Sequence, residues 1–432
     1  MDSADQRIVT LASLQPRTST AESETEPAEP AEPLSPKDQL NLARYQQVRA
    51  RLREVTKTAG GGVVVTVQDQ EASLVQSVLA EIGTETRPAE SGGEELQFAT
   101  GGPDVDPRWL SVVYEKVAHL LDKHPMVRPD TPEPETLSGN FRLAMAADWA
   151  TGLYGAPVIA KTMSTMGADR PFDLLMHLGD VYYSGTPAEV DERFLRCWPN
   201  GAGVRNRALN GNHDMYAGGH GYFDQILQAF GQNGSYFALQ NEHWLLVGLD
   251  TAYEDHAMDG TQVAWLNLVI EQAGGARKVV LFSHHQPFSR LSSQGPKLQD
   301  ALRHHLEAGA ITAWYWGHEH QCVIYDKHES WGMYGRCLGN GGVPEPRPNT
   351  VTNAELDPAH HGVGELVWRR LSATANAPGS IVLDGPNRDM KKPSHQRRFG
   401  PHGFMTLTFE GPALFERVHL SDGTELLHNT IA

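Results

Sequence analysis

Five short polar segments, each set directly after an apolar run, constrain this sequence more than any other feature. They are Ala147-Asp148-Trp149, Gly179-Asp180-Val181-Tyr182-Tyr183, Gly211-Asn212-His213-Asp214, Ser283-His284-His285 and Gly317-His318-Glu319-His320. The apolar runs read as strands at 141–147, 172–178, 206–209, 244–249, 278–283 and 311–316. Helical patterns fall between them, near 157–166, 188–197, 221–230, 261–273 and 297–308. Strands alternating with helices predict an α/β fold with a parallel or mixed sheet covered by helices. In such folds ligands bind in the crevice at the carboxyl ends of the strands, where all five segments lie. Glycine ahead of the Asp, Asn or His in three of them allows a tight backbone turn at the strand end.

The side chains so gathered are two Asp, one Asn and three or four His, with no thiolate. That donor set suits Zn, Mn or Fe. One carboxylate can bridge two cations, so six or seven side chains are enough for a dinuclear site. His318 and His320 are two apart and project to the same side of an extended segment. Each segment alone reads equally well as an ordinary turn or helix cap. Their joint occurrence, in order and at successive strand ends, is what points to a metal site.

The order Asp, Gly-Asp, Gly-Asn-His-Asp, His, Gly-His-x-His resembles the calcineurin-like metallophosphoesterase superfamily over about residues 141–340. The first motif departs from the usual Asp-x-His, since Asp148-Trp149-Ala150 has no histidine. A tyrosine three residues after Asp180 instead resembles the purple acid phosphatase branch, in which that tyrosine is a metal ligand. The resemblance implies an αββα sandwich of two mixed sheets flanked by helices. It implies one metal on Asp148, Tyr183 and His320, and a second on Asn212, His318 and either His284 or His285, with Asp180 bridging. It assigns His213 to protonation of the leaving group and Asp214 to orienting it. Two cations about 3.5–4 Å apart acidify a bound water, and the hydroxide attacks phosphorus in line. The expected activity is hydrolysis of a phosphate mono- or diester of a small soluble substrate. Asp214, where protein phosphatases of the superfamily carry Glu, favours small molecules over phosphoproteins. A non-catalytic metal-binding scaffold of the same fold and a nuclease are the alternatives.

Composition bears on these alternatives. A net charge of −17 argues against nucleic acid as the main partner. The three cysteines form no C-x-x-C pair and predict no disulfide framework. The opening MDSADQRIVT lacks a signal-peptide pattern, and no long apolar run predicts a membrane span, so a cytoplasmic location is expected. Residues 1–36, rich in Glu, Pro, Ser and Thr, read as a disordered tail. Residues 37–123 read as a small N-terminal α/β domain without recognisable chemistry, open to a regulatory protein partner. It combines a helix starting at Ser35-Pro36, a strand at Val63–Val67, and helices marked by Leu74 to Ile82 and Trp109 to Leu121. Residues 124–138 read as a linker, and 139–432 as the metallophosphoesterase-type domain.

Overall fold

The computed structural model describes residues 34–59, 68–83, 113–114, 117–118, 120–149, 151, 154–199, 201, 203–290, 292–347, 354–360 and 362–432. The tail over 1–33, the strand at 63–67 and the start of the helix at 109 lie outside the described residues.

Among the described residues, sixteen strands form two mixed sheets. The larger runs in the order β1 (Glu135–Thr136), β5 (Phe237–Gln240), β6 (Trp244–Leu249), β7 (Lys278–Ser283), β8 (Ile311–Trp316), β10 (Tyr334–Leu338), β9 (Cys322–Tyr325), β13 (Ser380–Asp384), β12 (Val367–Leu371) and β11 (Glu355–Leu356). Its parallel centre is β6, β7 and β8. The smaller has the order β16-β15-β14-β2-β3-β4, with β2 (Phe141–Ala146), β3 (Leu174–His177) and β4 (Arg205–Ala208) parallel. β14 (Gly403–Glu410), β15 (Ala413–Leu420) and β16 (Glu425–Thr430) are antiparallel, and Asp422-Gly423 lies in the turn of the last hairpin.

Side-chain alternation explains the layering. Leu246, Val280, Phe282 and Tyr315 of the larger sheet meet Leu143, Met145, Met176 and Leu407 of the smaller in one core. Leu245, Val247, Leu281, Trp314 and Trp316 point the other way, onto the helices Gly260–Ala273 and Pro296–Glu307. Ala144, Ala146, Leu175 and Ala208 do the same against the helix Gly155–Asp169 and the helical turns Val190–Leu195 and Gly221–Ile226. The central strands are buried on both faces, which is why they read as continuous apolar runs. The architecture is the αββα sandwich of two mixed sheets. The Trp314-Tyr315-Trp316 run is packing: its two indoles face the helices and its phenol faces the other sheet.

The N-terminal helices form a further layer. α1 (Pro36–Ala59) begins as its sequence predicts, with the Ser35 hydroxyl accepting from the Asp38 amide at 3.1 Å. α2 (Gln70–Gly83) is buried along its whole length from Ala72 to Val78. Val48, Leu74, Val75, Val78, Val113 and Val117 make a small separate core, closed on one side by Ala217 of the sandwich.

One buried ion pair ties the two sheets together. Arg336 Nε lies 2.8 Å from Glu416 Oε1, which also accepts from Asn429 Nδ2 at 2.9 Å, while Tyr315 donates to Oε2 at 3.1 Å. Removing one partner leaves a buried charge without compensation. Glu416→Ala is therefore expected to lower the unfolding free energy by roughly 3–5 kcal/mol in denaturant titration, whereas mutation of the exposed pair Arg303–Asp300 should cost under about 1 kcal/mol.

Candidate metal and hydrolytic centre

The loops after β2, β3, β4, β7 and β8 are laced to one another beyond the strand ends. The amides of Asp148 and Trp149 donate to the carbonyls of Gly179 and Asp180, both at 2.9 Å, and Gly317 donates to His284 at 3.0 Å. Asp148, Asp180 and His318 all take left-handed backbone at φ 55°, 72° and 68°. That conformation is costly for residues with side chains and persists only where surrounding structure imposes it. Two glycines are needed by contact: a Cβ on Gly179 would sit 2.6 Å from His284 Nδ1, and one on Gly211 would collide with the Asp180 carboxylate.

Six of the sequence-predicted residues meet in one place. Asn212 Oδ1 lies 2.9 Å from His318 Nδ1 and 3.2 Å from His284 Nε2. His284 Nε2 is 3.4 Å from Asp180 Oδ2, and His320 Nε2 is 3.4 Å from Asp148 Oδ1. Asp148, Asp180 and His284 are fully buried. Of the His284–His285 pair, His284 faces this cluster. His285 turns instead towards His256 and His318, with ring centroids at 3.8 and 4.6 Å.

Two departures from expectation follow from backbone contacts. The tyrosine that reaches the carboxylates is Tyr182, not Tyr183. Its hydroxyl lies 2.8 Å from Asp180 Oδ2, 3.1 Å from Asp148 Oδ1 and 2.7 Å from His320 Nε2. Tyr183 is held by its backbone: its amide donates to Glu189 Oε1 at 2.8 Å, and its carbonyl accepts from His213 Nδ1 at 2.5 Å. Its ring lies against Arg193, with the guanidinium carbon 5.3 Å from the centroid. Asp214 does not orient the His213 ring; the Tyr183 carbonyl does. The Asp214 carboxylate accepts from the backbone amides of Gly211, Asp180 and Val181 at 2.7, 2.9 and 3.1 Å, clamping two of the five loops together. Burial and the neighbouring Asp180 charge push it up to about 7 despite those donors. His220 and His256, adjacent to the motifs in sequence, separate: His220 contacts Asp122 and Asp224, whereas His256 packs on His285.

Hydrogen bonds also fix which ring nitrogen faces inward. His284 Nδ1 donates to the Leu178 carbonyl at 2.9 Å, and His320 Nδ1 donates to Glu345 at 3.3 Å, so each presents Nε2. Glu345 was not legible as a partner in the sequence, because it lies far from any motif. Gln294, 3.1 Å from His318 Nε2, likewise stands outside every motif. Electrostatically the cluster attracts positive charge. Burial alone would raise Asp180, yet the imidazoles of His284 and His213 hold it well below the usual carboxylate range. Burial alone would lower the histidines, yet Asp180 pushes His284 up to about 9 and Asp148 with Glu345 pushes His320 up to about 10. Carboxylate, carboxamide and imidazole donors, with inward nitrogens fixed, fit divalent or trivalent cations. Asp180, His284 and His318 bring ligand atoms within 4.8 Å of one another.

Residues 141–322 match the family model described as calcineurin-like phosphoesterase, and this stretch contains all five motifs. No curated protein matches the chain. Similar solved structures include GAP50, the anchor in the inner membrane complex of Plasmodium, at 11% identity over 68% of this chain and 88% of that one, TM-score 0.45. PhoD is 12% identical over 71% and 70%, TM-score 0.38. Vacuolar protein sorting 29 from Cryptosporidium parvum is 12% identical over 68% and 98%, TM-score 0.31. Among the described residues no helix is long and apolar enough to cross a membrane.

Ion uptake is expected to be proton-linked. With His284 and His320 pushed up to about 9 and 10, a cation arriving at neutral pH displaces their protons. Affinity should therefore rise with pH from 6 to 8. Titration calorimetry in buffers of differing ionisation enthalpy should show release of about two protons per chain.

Proposed function

We propose that this chain is a dinuclear-metal phosphoesterase acting on a phosphate mono- or diester of a small soluble substrate. The observation that carries this is the meeting of Asp148, Asp180, Asn212, His284, His318 and His320, from five separate strand ends, around one buried point. The family likeness of residues 141–322 supports the same reading. Asp148, His320 and Tyr182 would hold one ion, Asn212, His284 and His318 the other, with Asp180 between them. Two cations there would supply an activated water and neutralise the phosphoryl oxygens.

The chain's own groups do the rest. His213 donates its backbone amide to Asp180 Oδ1 at 2.9 Å, which ties the leaving-group side to the bridging carboxylate. Because the Tyr183 carbonyl takes Nδ1–H, Nε2 is the end of the ring that delivers a proton to the departing oxygen. Burial lowers the His213 pKa, so its acid form is lost as pH rises through a value below the ordinary histidine range. Turnover of alkyl phosphates should accordingly fall as pH rises. His213→Ala should cost roughly 10²–10⁴-fold on an alkyl phosphate and far less on a nitrophenyl ester, whose leaving group needs no proton. Equal losses on both would remove His213 from proton transfer.

The Tyr182 position carries the purple acid phosphatase-like part of the proposal. Burial and the adjacent Asp180 and Asp148 charges raise this phenol well above its ordinary pKa. Only a strongly acidic cation such as ferric iron would turn it into a phenolate ligand. In iron-loaded protein, a visible charge-transfer band should vanish in Tyr182→Phe and persist in Tyr183→Phe. A band lost only in Tyr183→Phe would reverse the assignment. A colourless, active protein would point to Mn or Zn.

A further inference from the structure

We propose that the N-terminal end of α2 belongs to the hydrolytic centre, with Gln68 orienting the Asn212 carboxamide and Ser73 orienting the His213 ring. This rests on the dinuclear reading above and extends it to a layer that carries no motif.

A carboxamide can turn either its oxygen or its NH2 towards a cation, and only the oxygen binds one. Both N–H groups of Asn212 are engaged, one by the N-terminal layer and one by Tyr216 of its own helix. Nδ2 donates to Gln68 Oε1 at 2.9 Å and to the Tyr216 hydroxyl at 3.0 Å. Oδ1 is thereby turned to His318 and His284. Gln68 also secures Tyr216, because its backbone carbonyl accepts from the Tyr216 hydroxyl at 3.1 Å. Gln70 adds a bond from Nε2 to the Tyr216 carbonyl at 3.0 Å.

One turn further on, Ser73 is completely buried against the sandwich. Its hydroxyl donates at 2.7 Å to the Tyr183 carbonyl, the same oxygen that takes His213 Nδ1–H. The hydroxyl lies 3.4 Å from Nδ1 itself. The His213 ring is thus bracketed by Tyr182 and Tyr216, with centroids at 4.2 and 4.6 Å, and held on edge by Ser73 and the Tyr183 carbonyl. Its Nε2 is buried and has no hydrogen-bond partner among the described residues, which leaves that nitrogen for chemistry.

The layer is anchored independently of these polar contacts. Its own apolar core, closed by Ala217, fixes α2 on the helix that carries Asn212 and His213. Asp69 caps α2 through the Ala72 amide at 2.9 Å and pairs with Arg51 of α1 at 2.7 Å. Gln68 by contrast is exposed, and among the described residues its side-chain bonds run to Asn212 and Tyr216. Holding an exposed, flexible side chain in this way costs entropy that apolar packing does not recover.

The test uses the full chain loaded with Mn²⁺. Gln68→Ala should weaken binding of one of the two ions by about tenfold in titration calorimetry, with the melting point of the ion-free protein unchanged. Gln68→Glu, which keeps the accepting oxygen, should restore it. Ser73→Ala should lower kcat about three- to tenfold at constant KM, with recovery in Ser73→Thr. Wild-type ion affinity in Gln68→Ala, or equal loss in Gln68→Ala and Gln68→Glu, overturns the Gln68 assignment. An unchanged kcat in Ser73→Ala overturns that of Ser73. If the wild-type chain itself takes up no ion pair, the dinuclear reading falls and this proposal falls with it.

Discussion

An ionised carboxylate sealed from water is the constraint around which the centre of this molecule is organised. Asp180 has no solvent exposure, and its charge is met by the Tyr182 hydroxyl, the His213 amide and the His284 ring. Isolated burial of such a charge is prohibitively costly, so the surroundings must supply positive charge. The raised pKa of His284 expresses that demand, and Asp148 with Glu345 raises His320 in the same way. Cations would satisfy the same demand, so uptake of cations and release of protons should be linked.

The sandwich serves this centre by rigidity. Strands covered on both faces cannot shift register without exposing one of two cores, so their carboxyl ends are fixed in space. The loops that follow are then free to adopt costly backbone, as at Asp148, Asp180 and His318, because neighbouring loops hold them by main-chain bonds. Asp214 illustrates the division of labour: a buried acid in the most chemically suggestive motif uses its oxygens on backbone amides of its own loop and the adjacent one.

Much of this was legible from residue order. Doubly buried strands leave unbroken apolar runs, and glycine-led polar segments after them mark where side chains converge; both signals are local. Nonlocal features were not legible. The family resemblance implied Tyr183, whereas Tyr182 enters the site because Glu189 and His213 claim the Tyr183 backbone, a contact set that depends on the folded loop. Choosing His284 over His285 likewise required the Leu178 carbonyl that holds its ring. Residues 37–123 read as chemically silent because the contact between Gln68 and Asn212 spans 144 positions, beyond any periodicity.

The most direct measurement of the central claim is metal content per chain, by elemental analysis after reconstitution with Mn or Fe, for the wild type and for Asp180→Asn. Loss of the shared carboxylate should affect both ions at once. The account predicts two ions per wild-type chain and fewer than one in Asp180→Asn. A wild type that retains no metal, or an Asp180→Asn variant that keeps both ions, would contradict it.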